Sequence, residues 1–133
     1  MRAHGGYKTY KKVVPSIIEY NGVKLKEFPI NTFNFFGQPI IFSGGGYFRV
    51  LPYSLIKKMT SSSEYIMTYF HPRDFDFNQP LVPGLSTFRR FKSYVGIKNC
   101  KLKLKRWLND YKFIDLNSAN KLINWQEAHI VKL

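Results

Sequence analysis

The stretch YIMTYFHPRDFD, Tyr65 to Asp76, opens with six aromatic, β-branched or apolar residues and then meets His71 and Pro72. The run Tyr65 to Phe70 predicts a strand in a sheet covered on both faces, and the proline ends it. In α/β sheets, open or barrel-shaped, ligands and chemistry gather at the C-terminal ends of strands. His71 therefore stands where an acid, a base or a ligand is expected. A solitary histidine more often has a structural role, so its surroundings must decide.

Upstream of this run, Ser16 to Tyr20, Asn21-Gly22 and Val23 to Phe28 predict a hairpin, because Asn-Gly adopts the positive backbone angles of a type I′ turn. Thr32 to Phe36 and Pro39 to Phe42, parted by Gly37-Gln38, predict a second apolar β segment that ends at Ser43-Gly44-Gly45-Gly46. A short helix is expected from Pro52 to about Thr60, with Leu55, Ile56 and Met59 as its apolar stripe. Downstream, a proline-rich loop runs from Pro72 to Gly84 and gives way near Ser86 or Thr87 to a basic helical region. Gly96 suits a helix C-terminus and Asn99 the cap of the next helix, Cys100 to about Tyr111. Leu104, Leu108 and Tyr111 form that helix's expected buried side. A brief strand at Phe113-Ile114 and a helix from about Ser118 to Trp125 complete an α/β order of elements.

Composition narrows the possible functions. The 133 residues suit one domain's worth of core, and the 17% aromatic share excludes a disordered chain. The single Cys100 excludes an internal disulfide framework and a multi-cysteine metal site, and suits a reducing compartment. No apolar stretch is long enough for a membrane span, and the N-terminus lacks a signal-peptide core. A soluble, cytoplasmic protein is the resulting expectation. The net charge of +13 is concentrated between Arg89 and Lys112, where nine basic residues face one acid, Asp110. Nucleic-acid binding is one reading of that stripe; a solvated helix face is the favoured one, because no nucleic-acid motif accompanies it.

Motif searches largely exclude. His4, His71 and His129 are too dispersed for a local metal pair, and the sequence holds no H-x-x-x-H, H-E-x-x-H or cysteine cluster. SGGGYFR, Ser43 to Arg49, lacks the spacing of a P-loop or of a dinucleotide fingerprint. Its plain reading is a strand-to-helix turn with unusual backbone angles. Its glycines would also let a ligand approach the backbone, with Arg49 near enough to hold an anion or carboxylate.

Three segments in order, EFPINTF (Glu27 to Phe33), SGGGYFRVLPYSLI (Ser43 to Ile56) and YFHPRDFDFNQP (Tyr69 to Pro80), give the chain a family likeness. From the RAHGGY opening around His4 to about Phe113 it resembles the C-terminal part of bacterial polysaccharide deacetylases of the NodB-homology type. The nearest branch is the one associated with exopolysaccharide and exosortase systems, which carries a C-terminal extension. The resemblance implies the C-terminal portion of a distorted (β/α) barrel over residues 1–85, followed by a basic helical extension over 86–133.

It also implies a hydrolase that removes acetyl groups from N-acetylated sugars of a polysaccharide. In that family a divalent metal, usually zinc, is held by an Asp and the two His of H-x-x-x-H. A second Asp acts as base on the metal-bound water, and a late-strand histidine protonates the leaving amine. His71 matches that histidine. Gly45, Gly46, Tyr47, Arg49 and Asp74 are the candidate substrate-binding residues. Where the family commonly has His-Pro-Trp-Glu, this chain has His71-Pro72-Arg73-Asp74, so the tryptophan wall is lost and Asp74 keeps the acid.

The T-F-D-D and H-x-x-x-H motifs of the family's N-terminal half occur nowhere in this sequence. The expectation is a C-terminal piece with no metal site of its own, inactive alone and completed by an N-terminal half. A non-catalytic, structural or self-associating remnant and a basic nucleic-acid binder are the alternatives; half a barrel would expose a sheet edge.

Overall fold

The computed structural model describes residues 13–133, so the RAHGGY opening with His4 lies outside the described residues. The chain folds as two compact units, one running to Pro29 and resuming at Ile114, the other Ile30–Phe113. The boundary expected near residue 85 falls inside the second unit.

Turn chemistry builds the first unit. Asn21 and Gly22 take φ of 48° and 79° and join β1 (Ser16–Tyr20) to β2 (Val23–Glu27), as their sequence predicts. The antiparallel register pairs Ser16 with Glu27 and Tyr20 with Val23. The last strand of the chain, β5 (His129–Lys132), pairs in parallel with the free edge of β1, giving the order β2-β1-β5. α5 (Leu116–Leu122) starts where the Asp115 carboxylate accepts the Ser118 N–H at 3.0 Å. Bonds from Ser118 hold that carboxyl below its usual range. The Trp125 ring meets Phe28 edge-on at 5.6 Å and carries the Lys26 ammonium at 4.7 Å over its face.

The second unit starts with a tight hairpin, β3 (Phe33–Phe35) and β4 (Gln38–Ile40), turning on Phe36 and Gly37 at φ of 49° and 77°. Three helices follow that the core ties together: α1 (Gly45–Val50), α2 (Tyr53–Ser61) and α4 (Ile97–Asp110). Phe42, Phe48, Ile56, Met59, Cys100 and Trp107 are fully buried together. Trp107 lies 5.2 Å from Phe48 and 4.8 Å from Phe113 between ring centroids, and its indole N–H donates to Thr60 Oγ1 at 2.9 Å. That bond satisfies the one polar atom the ring carries into the core.

Several expectations need correction. Tyr65 to Phe70 is not a strand; its sole ladder element is the parallel bridge of Tyr69 with Gly44, because the backbone lacks a longer partner. The stretch after Gly44, expected as a turn, winds into α1. Gly96, in the left-handed region at φ 72°, divides the basic region as expected, but it flanks α4 directly, so Asn99 lies inside that helix rather than capping it. The buried stripe of α4 is Ile97, Cys100 and Trp107, with Leu104 and Tyr111 beside it; Leu108 is exposed. Phe113-Ile114 forms no strand, and the last helix begins and ends before the expected Ser118 to Trp125.

Mixed α/β architecture is present, as two small sheets and several helices. Among the described residues neither sheet closes into a barrel, and both are too small to form one. No described helix is long and apolar enough to cross a membrane.

Candidate functional site

Within the second unit, which begins at Ile30 inside EFPINTF, parts of the three family-like segments converge. Asn31, from EFPINTF, accepts the Met67 N–H on its side-chain oxygen at 3.2 Å. Ser43, which opens SGGGYFR, donates its hydroxyl to the Met67 carbonyl at 2.7 Å, and its own carbonyl accepts the Tyr69 N–H at 3.3 Å. Side chains thus supply the bonds that a strand ladder would otherwise give to the segment before His71. Gly44 makes the closest approach: a Cβ there would overlap the Tyr69 carbonyl, so this bridge admits only glycine without displacement.

After Phe70, His71 flanks a single 3-10 turn, Pro72–Asp74. The Asp74 carboxylate accepts the His71 backbone N–H at 2.9 Å, while the Asp74 N–H returns to the His71 carbonyl at 2.9 Å. The turn is thereby closed on both sides. Asp74 is buried, as is Arg49 of α1, whose Nε lies 3.5 Å from Asp74 Oδ1. The same guanidinium donates to the Ser93 carbonyl at 2.8 Å and the Lys92 carbonyl at 3.1 Å, at the end of α3 (Thr87–Tyr94). One buried cation therefore joins α1, the His71 turn and α3, with the planar fork that suits several acceptors at once.

His71 itself is exposed, and its ring stands edge-on to Tyr69 at 4.8 Å. Gly45, at φ 54°, and Gly46 open α1 beside the Gly44–Tyr69 bridge, and Tyr47 follows with its side chain half exposed. Arg49 and Asp74 face inward, toward each other. The candidate set thus separates into an outer group, His71 with Gly46 and Tyr47, a partly buried Gly45, and a buried pair that holds the turn.

Lys103 of α4, which nothing in the sequence singles out, donates to the carbonyls of Phe48, Arg49 and Leu51 at 2.9, 3.0 and 2.7 Å. It closes the C-terminal end of α1, where a cation is favoured. Burial holds its ammonium below the usual lysine range. Tyr69, Asn31 and Ser43 join the site without having stood out as individual residues, although all three lie in the quoted segments. For Asn31 and Ser43 the signal is chemical, since short polar residues near glycine and proline bond readily to nearby backbone, whereas Tyr69 joins through its main chain and carries no such signal.

The described residues include no group of three or more His, Cys, Asp or Glu able to hold a metal ion.

Fold and site together define a mixed α/β protein with an exposed histidine mounted on a turn by a buried ion pair. Residues 1–121 match the family described as Domain of unknown function (DUF3473), and the chain belongs to that family. No curated protein and no solved structure matches the chain.

Proposed function

We propose that this chain is the C-terminal part of a polysaccharide deacetylase that hydrolyses the acetamido bond of N-acetylated sugars, with His71 as the acid that protonates the leaving amine. The observation that supports this reading most is the convergence of Asn31, Ser43, Arg49 and Asp74, all buried, on the backbone that carries exposed His71. Four of the six buried polar residues described serve that one short segment. Burying polar groups is costly unless they are paired, so such a concentration suits a side chain that must be held in place.

In this reading Arg49 and Asp74 are positioning residues, and Gly46, Tyr47 and Tyr69 border the sugar. The base and the metal belong to an N-terminal half bearing T-F-D-D and H-x-x-x-H, motifs that this sequence lacks. Proton donation to a leaving amine contributes about a hundredfold to ten-thousandfold in rate.

The test is acetate release from N-acetylglucosamine oligomers. The chain alone is expected to release none; combined with such an N-terminal half it releases acetate, and His71→Ala in the combination lowers kcat by about a hundredfold or more. Undiminished turnover with His71→Ala would remove the assignment.

A further inference from the structure

We propose that α3 docks on an anionic membrane surface, laying Phe88 and Phe91 into the lipid interface and setting Arg89, Arg90 and Lys92 against the headgroups. The helix, TFRRFKSY, is amphipathic yet none of its residues is buried. Phe88 is 66% and Phe91 59% exposed, one helical turn apart and so on one face. Burial, the ordinary reason for an amphipathic pattern, does not account for this helix.

Its ends are nevertheless fixed. The Arg90 N–H donates to the Ser86 carbonyl at 2.8 Å, and Arg49 holds the carbonyls of Lys92 and Ser93 at the other end. The Tyr94 hydroxyl donates to the Pro80 carbonyl at 3.0 Å and accepts the Val82 N–H at 2.9 Å, tying a loop with exposed Leu81 and Val82 to the same helix. A helix already formed and anchored loses little further freedom on docking.

Charge complementarity selects the occupant. The two ion pairs among the described residues are Arg49–Asp74 and Lys57–Asp110, so the exposed cations of α3 have no carboxylate partner there. Lys92 stretches its ammonium over the Phe88 ring at 4.5 Å, carrying charge beside an apolar side chain as at a water–lipid boundary. A polyanion in water would use the cations but leave both phenylalanines wet. A neutral apolar partner would cover the rings and strand the cations. An anionic bilayer interface takes both.

Co-sedimentation of the full chain with vesicles tests this, using phosphatidylcholine alone and phosphatidylcholine mixed with phosphatidylglycerol. Expected are binding to the mixed vesicles at least about tenfold tighter than to the neutral ones, a loss of about tenfold or more in Phe88→Ser/Phe91→Ser, and about fivefold per cation in Arg89→Gln and Arg90→Gln. None of these residues is buried, and an unchanged circular dichroism spectrum would verify the fold. Equal binding to both vesicle types overturns the proposal. So does anionic binding indifferent to the phenylalanine substitutions, or equally tight binding of RNA or a uronic-acid polymer that is likewise indifferent, which would mark a polyanion site. A dimer in size exclusion that Phe88→Ser/Phe91→Ser converts to monomer would assign the face to a second copy and also overturn it.

Discussion

Arg49, only 8% exposed, donates from two nitrogen atoms to one stretch of chain and sets its Nε beside the Asp74 carboxylate of another. Its removal leaves the Asp74 carboxylate buried without its cation and two carbonyls at the end of α3 without their donor. Arg49→Met is therefore expected to lower unfolding free energy by about 3–5 kcal/mol in urea titration, the cost of orphaning a buried charge. Arg49→Met/Asp74→Leu should recover part of that loss, because no lone carboxylate remains. A double variant less stable than both singles would show that the pair contributes more than mutual neutralisation. Thr60→Val offers a simpler case: it strands the Trp107 indole N–H in the core and is expected to cost about 1–3 kcal/mol. As single residues Arg49, Asp74 and His71 stand out in the sequence, since each is a charged or titratable group set among glycines, prolines and aromatics. That Arg49 and Asp74 pair does not, because α2 and the loop after it must first fold to bring them together.

At the scale of elements, α1 is six residues long, too short to persist by its own hydrogen bonds. It persists because Gly44 seats one end against Tyr69 and Lys103 closes the other. Lys103→Met should release three carbonyls and raise hydrogen exchange across Tyr47 to Leu51 well before global unfolding, whereas exchange in α2 should stay near its original rate. Gly96→Ala combines a left-handed backbone angle with a Cβ that would strike the Arg49 carbonyl, and is expected to lose more than about 1 kcal/mol.

The same contrast explains what could be read in advance. The Asn21-Gly22 turn is decided by two adjacent residues, and its hairpin follows. Whether Tyr65 to Phe70 is a ladder strand depends on a backbone partner, and a run of apolar residues looks the same with or without one. The parallel pairing of β5 with β1 lies beyond any local signal, since Ser16 meets His129 across nearly the whole chain. On α4 the buried stripe takes Trp107 where the sequence pattern offers Leu108, a neighbour on a helix whose apolar residues allow either phase.

Across the whole molecule, protonation sets limits on stability at both ends of the pH scale. Burial pushes the Cys100 thiol up to about 11, and desolvation with the bond to Asp110 pushes the Tyr53 phenol up to about 12. Both folded values lie above the unfolded ones. Their contribution is complete below the unfolded values and is lost as pH rises toward the folded ones. The urea midpoint is expected to fall between about pH 9 and 12, and Cys100→Ala should flatten the first part of that fall. At the acid end, bonds from Lys57 and Tyr53 hold the Asp110 carboxyl below its usual range, so its contribution is present above the unfolded value and fades as pH drops through the folded one. A midpoint that rises on going alkaline would contradict the burial of Cys100.

The chain has two tryptophans, and each compact unit holds one: Trp107 sealed in the core of Ile30–Phe113, Trp125 partly open beside Phe28 in the other. Their surroundings differ enough to give the chain two intrinsic optical labels, a blue-shifted emitter and a redder, quencher-accessible one. Iodide quenching followed through a denaturant titration would then time the opening of each unit separately, with no dye attached.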